Sequence, residues 1–266
     1  MKNKFLTPFS ILVLVFLYFP ILILMMYSFN DSKVNAEWKG FTFDWYINLF
    51  QNDAVRTALI NSLIIAIVTT IVATLLGTLA AIALSKYKYR LKGVYDGIVY
   101  LPILIPDILM GISLVILFSQ LGINLSIYTV IAAHVTFCIS FVVVIVSSRL
   151  SGYGKEIEEA ANDLGATPWQ TFRFITLPNI LPGVIAAALL TFTLSIDDFV
   201  ISSFVSGPES TTLPIYIYGL VKRGISPEIN ALSTILIVTI VVLMLLSEKM
   251  GSKGDNGSNG SSRLPF

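Results

Sequence analysis

The sequence predicts an all-α polytopic membrane protein, and three observations carry that expectation. Hydrophobic residues make up 55% of the 266, charged residues only 12%, and the mean hydropathy is +0.83. A soluble domain of this size has no use for so much apolar surface. The apolar residues gather into six segments that reach the roughly 20 residues needed to cross a bilayer. They are Phe9–Phe29, Leu59–Leu84, Ile98–Leu121, Ile127–Leu150, Gly183–Val205 and Ile229–Leu246. Basic residues divide unevenly between the connections. Lys2, Lys4, Lys86, Lys88, Arg90, Lys92, Arg149, Lys155, Arg173, Lys249, Lys253 and Arg263, twelve of the 17, fall on one side. Lys33, Lys39, Arg56, Lys222 and Arg223 fall on the other. Positive charge marks the cytoplasmic side, so both termini and the long connection Glu156–Pro182 are expected inside.

Composition also excludes. A net charge of +1 argues against nucleic acid as a partner. One cysteine, Cys138, rules out an internal disulfide and a thiolate metal site. A phosphate-binding P-loop motif does not occur, so the energy for any transport must come from another chain or from an ion gradient.

The first span is too long for the apolar core of a cleavable leader and lacks a small-residue cleavage site, so it reads as retained. The outer loop Asn30–Arg56 carries Trp38, Phe41, Phe43, Trp45 and Tyr46. This suits an interfacial aromatic belt on a short amphipathic helix, or a surface that meets an external binding protein. The third span opens with Leu101-Pro102 and Pro106-Asp107. Asp107 lies roughly 14 Å into a hydrocarbon core about 30 Å thick, where a carboxylate needs a cavity, a partner or a helix end. In the fourth span His134 and Cys138 share one helix face. With no third ligand in view, His134 reads as a histidine packed inside a bundle, and Arg149 as an interfacial anchor.

The connection Glu156–Pro182 is the longest polar interruption in the second half of the chain. Lys155–Leu164 reads as a helix: Glu156, Glu158 and Glu159 favour its first turn, and Ile157, Ala160, Ala161 and Leu164 form an apolar face. Gly165 stops it. Thr167 and Pro168 open a second short helix, Trp169–Thr176, expected to end before Pro178, with Pro182 closing the segment.

Glu159-Ala160-Ala161, Gly165, Ile175, Leu177 and Pro178 match, at every spaced position, the EAA-loop signature of importer-type ABC permeases, and the chain resembles that family. The resemblance implies a type I importer permease fold of six spans. It also implies a cytoplasmic coupling helix between the fourth and fifth, seated in a groove of an ABC ATPase dimer. The residues it assigns to ATPase coupling are Glu156, Glu159, Ala160, Ala161, Leu164, Gly165, Ile175, Leu177 and Pro178. The expected permease domain is 1–248. The Gly/Ser/Asn-rich tail 249–266 is expected to be disordered and partly of engineered origin.

The fifth span is interrupted by Thr191, Thr193, Ser195, Asp197 and Asp198, then Ser202 and Ser203. Asp197 is roughly 22 Å along a helix from Pro182, beyond the midplane. Adjacent helical residues point about 100° apart, so one acid can line a pathway while the other caps a helix or pairs with a neighbouring subunit. Ser195–Pro208, Ser226–Ala231, Pro106–Ile108 and His134–Cys138 are similar to the corresponding stretches of spermidine/putrescine permeases, and that similarity runs along the chain apart from the tail. It implies a second permease subunit, an external polyamine-binding protein, and ATP and Mg used by the partner ATPase. This chain would be a non-enzymatic transport subunit without a cofactor, in a bacterial inner or plasma membrane. A linear polycation needs spaced carboxylates and aromatic faces. Asp107, Ser195, Asp197, Asp198, Phe199, Ser202, Tyr216 and Tyr218 are the pathway candidates, with Phe204 a further aromatic face. Another small cationic or neutral solute stays open. So does an ion-coupled carrier using the Asp residues, which leaves the EAA loop without a purpose.

Overall fold

The computed structural model describes residues 6–32, 37–86, 92–152, 155–224, 227–239 and 241. They form helices α1 (Leu6–Tyr27), α2 (Asp44–Gln51), α3 (Asp53–Lys86), α4 (Lys92–Leu104), α5 (Asp107–Gln120), α6 (Ile127–Ser151) and α7 (Lys155–Asp163). After these come α8 (Pro168–Thr171), a π turn (Phe172–Thr176), α9 (Leu177–Asp197), α10 (Val200–Val205), α11 (Leu213–Arg223) and α12 (Pro227–Thr239). The chain divides into two compact units, Ala54–Tyr216, and Met1–Asp53 together with Ile217–Phe266.

The larger unit is organised around α6. More than half of its most apolar stretch is buried, against 28% for the corresponding stretch of α3. At one end Val130, Ala133, Phe137 and Cys138 of α6 meet Ile65 and Ala73 of α3, Met110 and Phe118 of α5, and Ile201 and Val205 of α10. At the other, Val142, Val143, Val146 and Leu150 meet Ala81 of α3 and Ile180 and Ala187 of α9. Small residues set these approaches. A Cβ added at Gly77 would fall 2.6 Å from Val142 Cβ, and one at Gly183 would fall 3.1 Å from Arg149 Cβ. Gly77→Ala is therefore expected to destabilise the bundle by about 1–3 kcal/mol through overpacking. A melting curve of the detergent-solubilised protein checks this: an unchanged midpoint would mean that α3 is free to move off α6.

Four expected boundaries are corrected. The third span is not one helix: α4 and α5 meet at a 107° bend across Ile105-Pro106. Pro106 lacks an N–H and disfavours helical conformation at Ile105, so the backbone breaks where the apolar run does not. The fifth span does not begin at Gly183, nor does a short helix end before Pro178. Helix runs unbroken over Pro168–Asp197, 30 residues or about 45 Å. The π turn makes this feasible: Leu177 N–H bonds back to the Phe172 carbonyl, shifting the hydrogen-bond register just before Pro178. At its far end the helix stops at Asp197, eight residues short of the expected Val205, and α10 follows after a break. Of the six expected spans, four stand among the described residues as single membrane-length helices, and the bent α4–α5 pair makes a fifth if counted as one. The sixth is described as helix over Pro227–Thr239. Beyond residue 241 its remainder and the tail lie outside the described residues, as does Ser226 of the Ser226–Ala231 stretch.

In the smaller unit the most apolar stretch of α1 is wholly unburied, as a lipid-facing helix should be. The turn after it is tightly built. Buried Asn30 donates through Nδ2 to the Glu37 carbonyl (2.7 Å), accepts the Lys39 N–H at Oδ1 (2.9 Å), and receives the Trp45 indole N–H at its own carbonyl (2.8 Å). Phe29 stacks on Phe41 at 5.2 Å, and Tyr46 shares a 2.7 Å hydrogen bond with Ser28. Phe29, Phe41, Phe43 and Tyr46 thus pack together, and α2 presents Ile47 and Phe50 outward beside them.

Candidate functional site

Two sets of residues form the candidate site, one at each end of the Pro168–Asp197 rod. The first is the loop made by α7, Gly165 and α8. Gly165 has φ +85°, a left-handed conformation that suits glycine. Its own N–H reaches the Asn162 carbonyl (2.9 Å), and the Ala166 N–H reaches the Ala161 carbonyl (3.0 Å), which satisfies the end of α7. Thr167 caps α8 reciprocally: Gln170 N–H donates to Thr167 Oγ1, and Thr167 N–H to Gln170 Oε1. Glu156, Glu159 and Ala160 are exposed, Ala161 is buried, and Ile175 and Leu177 are half-buried while Pro178 is exposed. The apolar face expected on α7 is not turned inward as a whole. Ile157 and Leu164 face outward, Leu164 at 89% exposure, together with Trp169 and Phe174.

Sequence reasoning missed what fastens the loop. Glu158 accepts a hydrogen bond from the buried Thr176 hydroxyl at one carboxylate oxygen and pairs with Lys86 Nζ at 2.9 Å through the other. Thr171 donates to Asn162 Oδ1 at 3.1 Å. α7 is thereby tied to the base of the rod and to the end of α3. Close by, Ile145, Ser148, Arg149, Gly152, Asn179 and Gly183 line a cavity of about 380 Å³, where Arg149 Nε donates to the Asn179 carbonyl at 3.4 Å. Arg149 therefore belongs to the α6–α9 contact as well as to the helix end.

The second set surrounds His134, whose side chain is fully buried. Its Nδ1 lies 2.8 Å from Ser195 Oγ, and its Nε2 lies 3.2 Å from Asp198 Oδ2 and 3.0 Å from Ser202 Oγ. Asp198 also accepts the backbone N–H groups of Ile201 (3.3 Å) and Ser202 (2.7 Å), so it caps α10. Three of the pathway candidates, Ser195, Asp198 and Ser202, are thus drawn together inside the bundle. Asp197 is not among them: it ends α9 with its side chain exposed. Asp107 is also exposed, at the first position of α5 where a carboxylate suits the helix dipole. Phe199 is half-buried in the α9–α10 break, and the Phe204 side chain covers Gly111. Tyr216 and Tyr218 lie on α11, and the Tyr218 ring already holds a cation, Lys222 Nζ, 4.8 Å from its centroid. One signal for the cluster was present: 195, 198 and 202 recur at helical spacing, and His134 is the sole histidine.

Residues 73–250 match the model of the family described as binding-protein-dependent transport system inner membrane component. The spermidine/putrescine transport system permease protein PotC of Haemophilus influenzae is 44% identical over 240 residues, covering 90% of this chain and 93% of that one. The putrescine transport system permease protein PotI of Escherichia coli is 42% identical over 242 residues, 87% of this chain and 86% of its own. Among solved structures, a bacterial ABC transporter that imports the polysaccharide alginate superposes with a TM-score of 0.74 at 20% identity, over 94% of this chain and 93% of the other, and shares the fold. The helices, the loop at the base of the rod and this likeness along nine-tenths of the sequence agree: the chain belongs to the inner-membrane permease components of binding-protein-dependent transport systems, and the fold is that of the type I ABC importer permeases.

Proposed function

We propose that this permease moves polyamines, spermidine or putrescine or both, inward by alternating access, driven by ATP hydrolysis in a separate ATPase dimer seated on α7. The observation that carries the substrate is the pair of relatives above 40% identity, both polyamine permeases by name. The chemistry supports it: Asp107 and Asp197 are exposed carboxylates at helix ends of the apolar segments, and a carboxylate within a membrane span is a functional candidate for binding a cation. In this reading both termini and α7 are cytoplasmic, and a second permease subunit and an external polyamine-binding protein complete the assembly. The bound ATP and Mg belong to the ATPase. Glu156, Glu159, Ala160, Leu164 and Gly165 shape the docking surface, with Trp169 and Phe174 beside them. Ile175, Leu177 and Pro178 pass motion into the rod. ATP binding pulls α7, the rod carries the displacement about 45 Å to Asp197, and the pathway opens outward to receive the polyamine.

The test is ATP-dependent uptake of labelled spermidine and putrescine into vesicles that hold this chain with its co-expressed partners. Asp197→Asn is expected to raise KM about tenfold, the effect of losing one charged contact to the substrate. Uptake of neither polyamine by an intact, ATP-hydrolysing complex would remove the substrate while leaving the permease class.

A further inference from the structure

We propose that His134 is a positioning residue for transport. It holds Asp198 inside the bundle at the α9–α10 break, and this fixes the adjacent Asp197 as the carboxylate presented to a cationic substrate. Only the identity of the cation is taken from the polyamine reading; the positioning rests on geometry.

The two acids are neighbours with opposite surroundings. Asp198 has ψ +120°, an extended conformation that sends successive side chains to opposite sides. Asp197 is exposed, whereas the Asp198 side chain is only 9% exposed. Asp198 already accepts two backbone N–H donors and faces the imidazole, so turning it toward a passing ammonium would weaken bonds to buried groups. Asp197 carries no such cost. Both ring nitrogens of His134 are engaged, Nε2 by Asp198 Oδ2 and Ser202 Oγ and Nδ1 by Ser195 Oγ. Ser195 precedes the break, Asp198 lies in it and Ser202 follows it. One imidazole from α6 therefore clamps all three parts of the interrupted span, and Thr129 of α6 adds a 2.7 Å hydrogen bond to the Val205 carbonyl at the end of α10. Without the ring, the Asp198 cap and the Thr129 bond still hold α10. The tie from α6 that joins Ser195 and Asp198 across the break is lost, however, and the direction of Asp197 is less tightly fixed.

The test compares His134→Leu, which removes every bond at similar volume, with His134→Gln, which returns a donor toward Asp198. Both are measured as the concentration dependence of ATP-driven spermidine uptake by the assembled transporter. His134→Leu is expected to raise KM about tenfold or more, the scale of one hydrogen bond to a charged group. The maximal rate should stay within about twofold, and His134→Gln should recover most of the loss. In an Asp197→Asn background, His134→Leu should add less than about twofold, because both act through one group. A fall in maximal rate at unchanged KM, or effects that multiply, would overturn the assignment in favour of a packing role. If His134→Leu fails to accumulate, Ser195→Ala withdraws the Nδ1 partner alone and is judged by the same criteria. A substrate-independent readout separates this proposal from the polyamine reading. Cys138 is the sole cysteine and is buried, so Asp197→Cys in a Cys138→Ala background can be labelled with a water-soluble thiol reagent. His134→Leu should slow that labelling about tenfold, on the same energetic scale. Unchanged labelling refutes the positioning role whatever the substrate, and slowed labelling without polyamine uptake refutes only the substrate.

Discussion

Gly165→Val should cut ATP-driven uptake by about ten- to a hundredfold while the helix bundle stays folded. At φ +85° the backbone is left-handed, and a β-branched residue there costs on the order of 1–3 kcal/mol. A Cβ at this position meets nothing within 4 Å, so the penalty is conformational and the surrounding packing is untouched. The strain is relieved by unwinding the end of α7, where the Gly165 and Ala166 N–H groups close the helix on the Asn162 and Ala161 carbonyls. Each 1.4 kcal/mol lowers the population of the docking-competent loop tenfold, which gives the expected range. Three measurements check it on one sample: vesicle uptake, substrate-stimulated ATP hydrolysis and retention of the ATPase on the purified permease. Uptake should fall together with stimulation, while the melting midpoint of the spans holds. Normal stimulated hydrolysis in the variant would separate this loop from energy coupling. Glu159→Ala, on an exposed position of the same helix, should give a smaller effect of the same kind.

The helices and turns of the loop were legible in the sequence because the signals that set them are local. Acids in a first turn, a glycine stop and a Thr-Pro start act over three or four residues, and α7, Gly165 and the Thr167 cap stand where those signals put them. Span boundaries were less legible, since apolar runs report burial in lipid and not backbone continuity. Pro106 breaks an apolar run that reads as one helix, whereas Pro178 and Pro182 fail to break one that reads as two. A π turn lets the helix pass Pro178, and hydropathy carries no trace of hydrogen-bond register. The His134 cluster joins residues 61 to 68 positions apart, so pairing could not be read from spacing. A lone buried histidine and a polar stripe at 195, 198 and 202 named the participants without naming the bond.

The same limit hid Glu158, which in sequence was one first-turn acid among three, and its replacement should have the second large effect. Glu158→Ala is expected to lower coupled uptake about tenfold or more and to lower the melting midpoint as well. The Thr176 hydroxyl is fully buried, and without the carboxylate its remaining acceptor is the Thr171 carbonyl at 3.5 Å. A buried hydroxyl left so poorly paired costs about 1–3 kcal/mol. The ion pair with Lys86 adds little, because Lys86 is 35% exposed and pairs of that kind are worth about 1 kcal/mol or less. The ranking of variants follows. Glu158→Gln keeps an acceptor for Thr176 and should stay within about threefold of the parent, as should Lys86→Met. If Lys86→Met proved as damaging as Glu158→Ala, the charge and not the Thr176 bond would be what fastens α7. Raised salt gives the same discrimination without mutation: it screens the Lys86 pair and leaves the buried hydrogen bond intact. Coupling that persists in high salt but fails in Glu158→Ala would identify the Glu158–Thr176 bond as the joint through which α7 moves the rod.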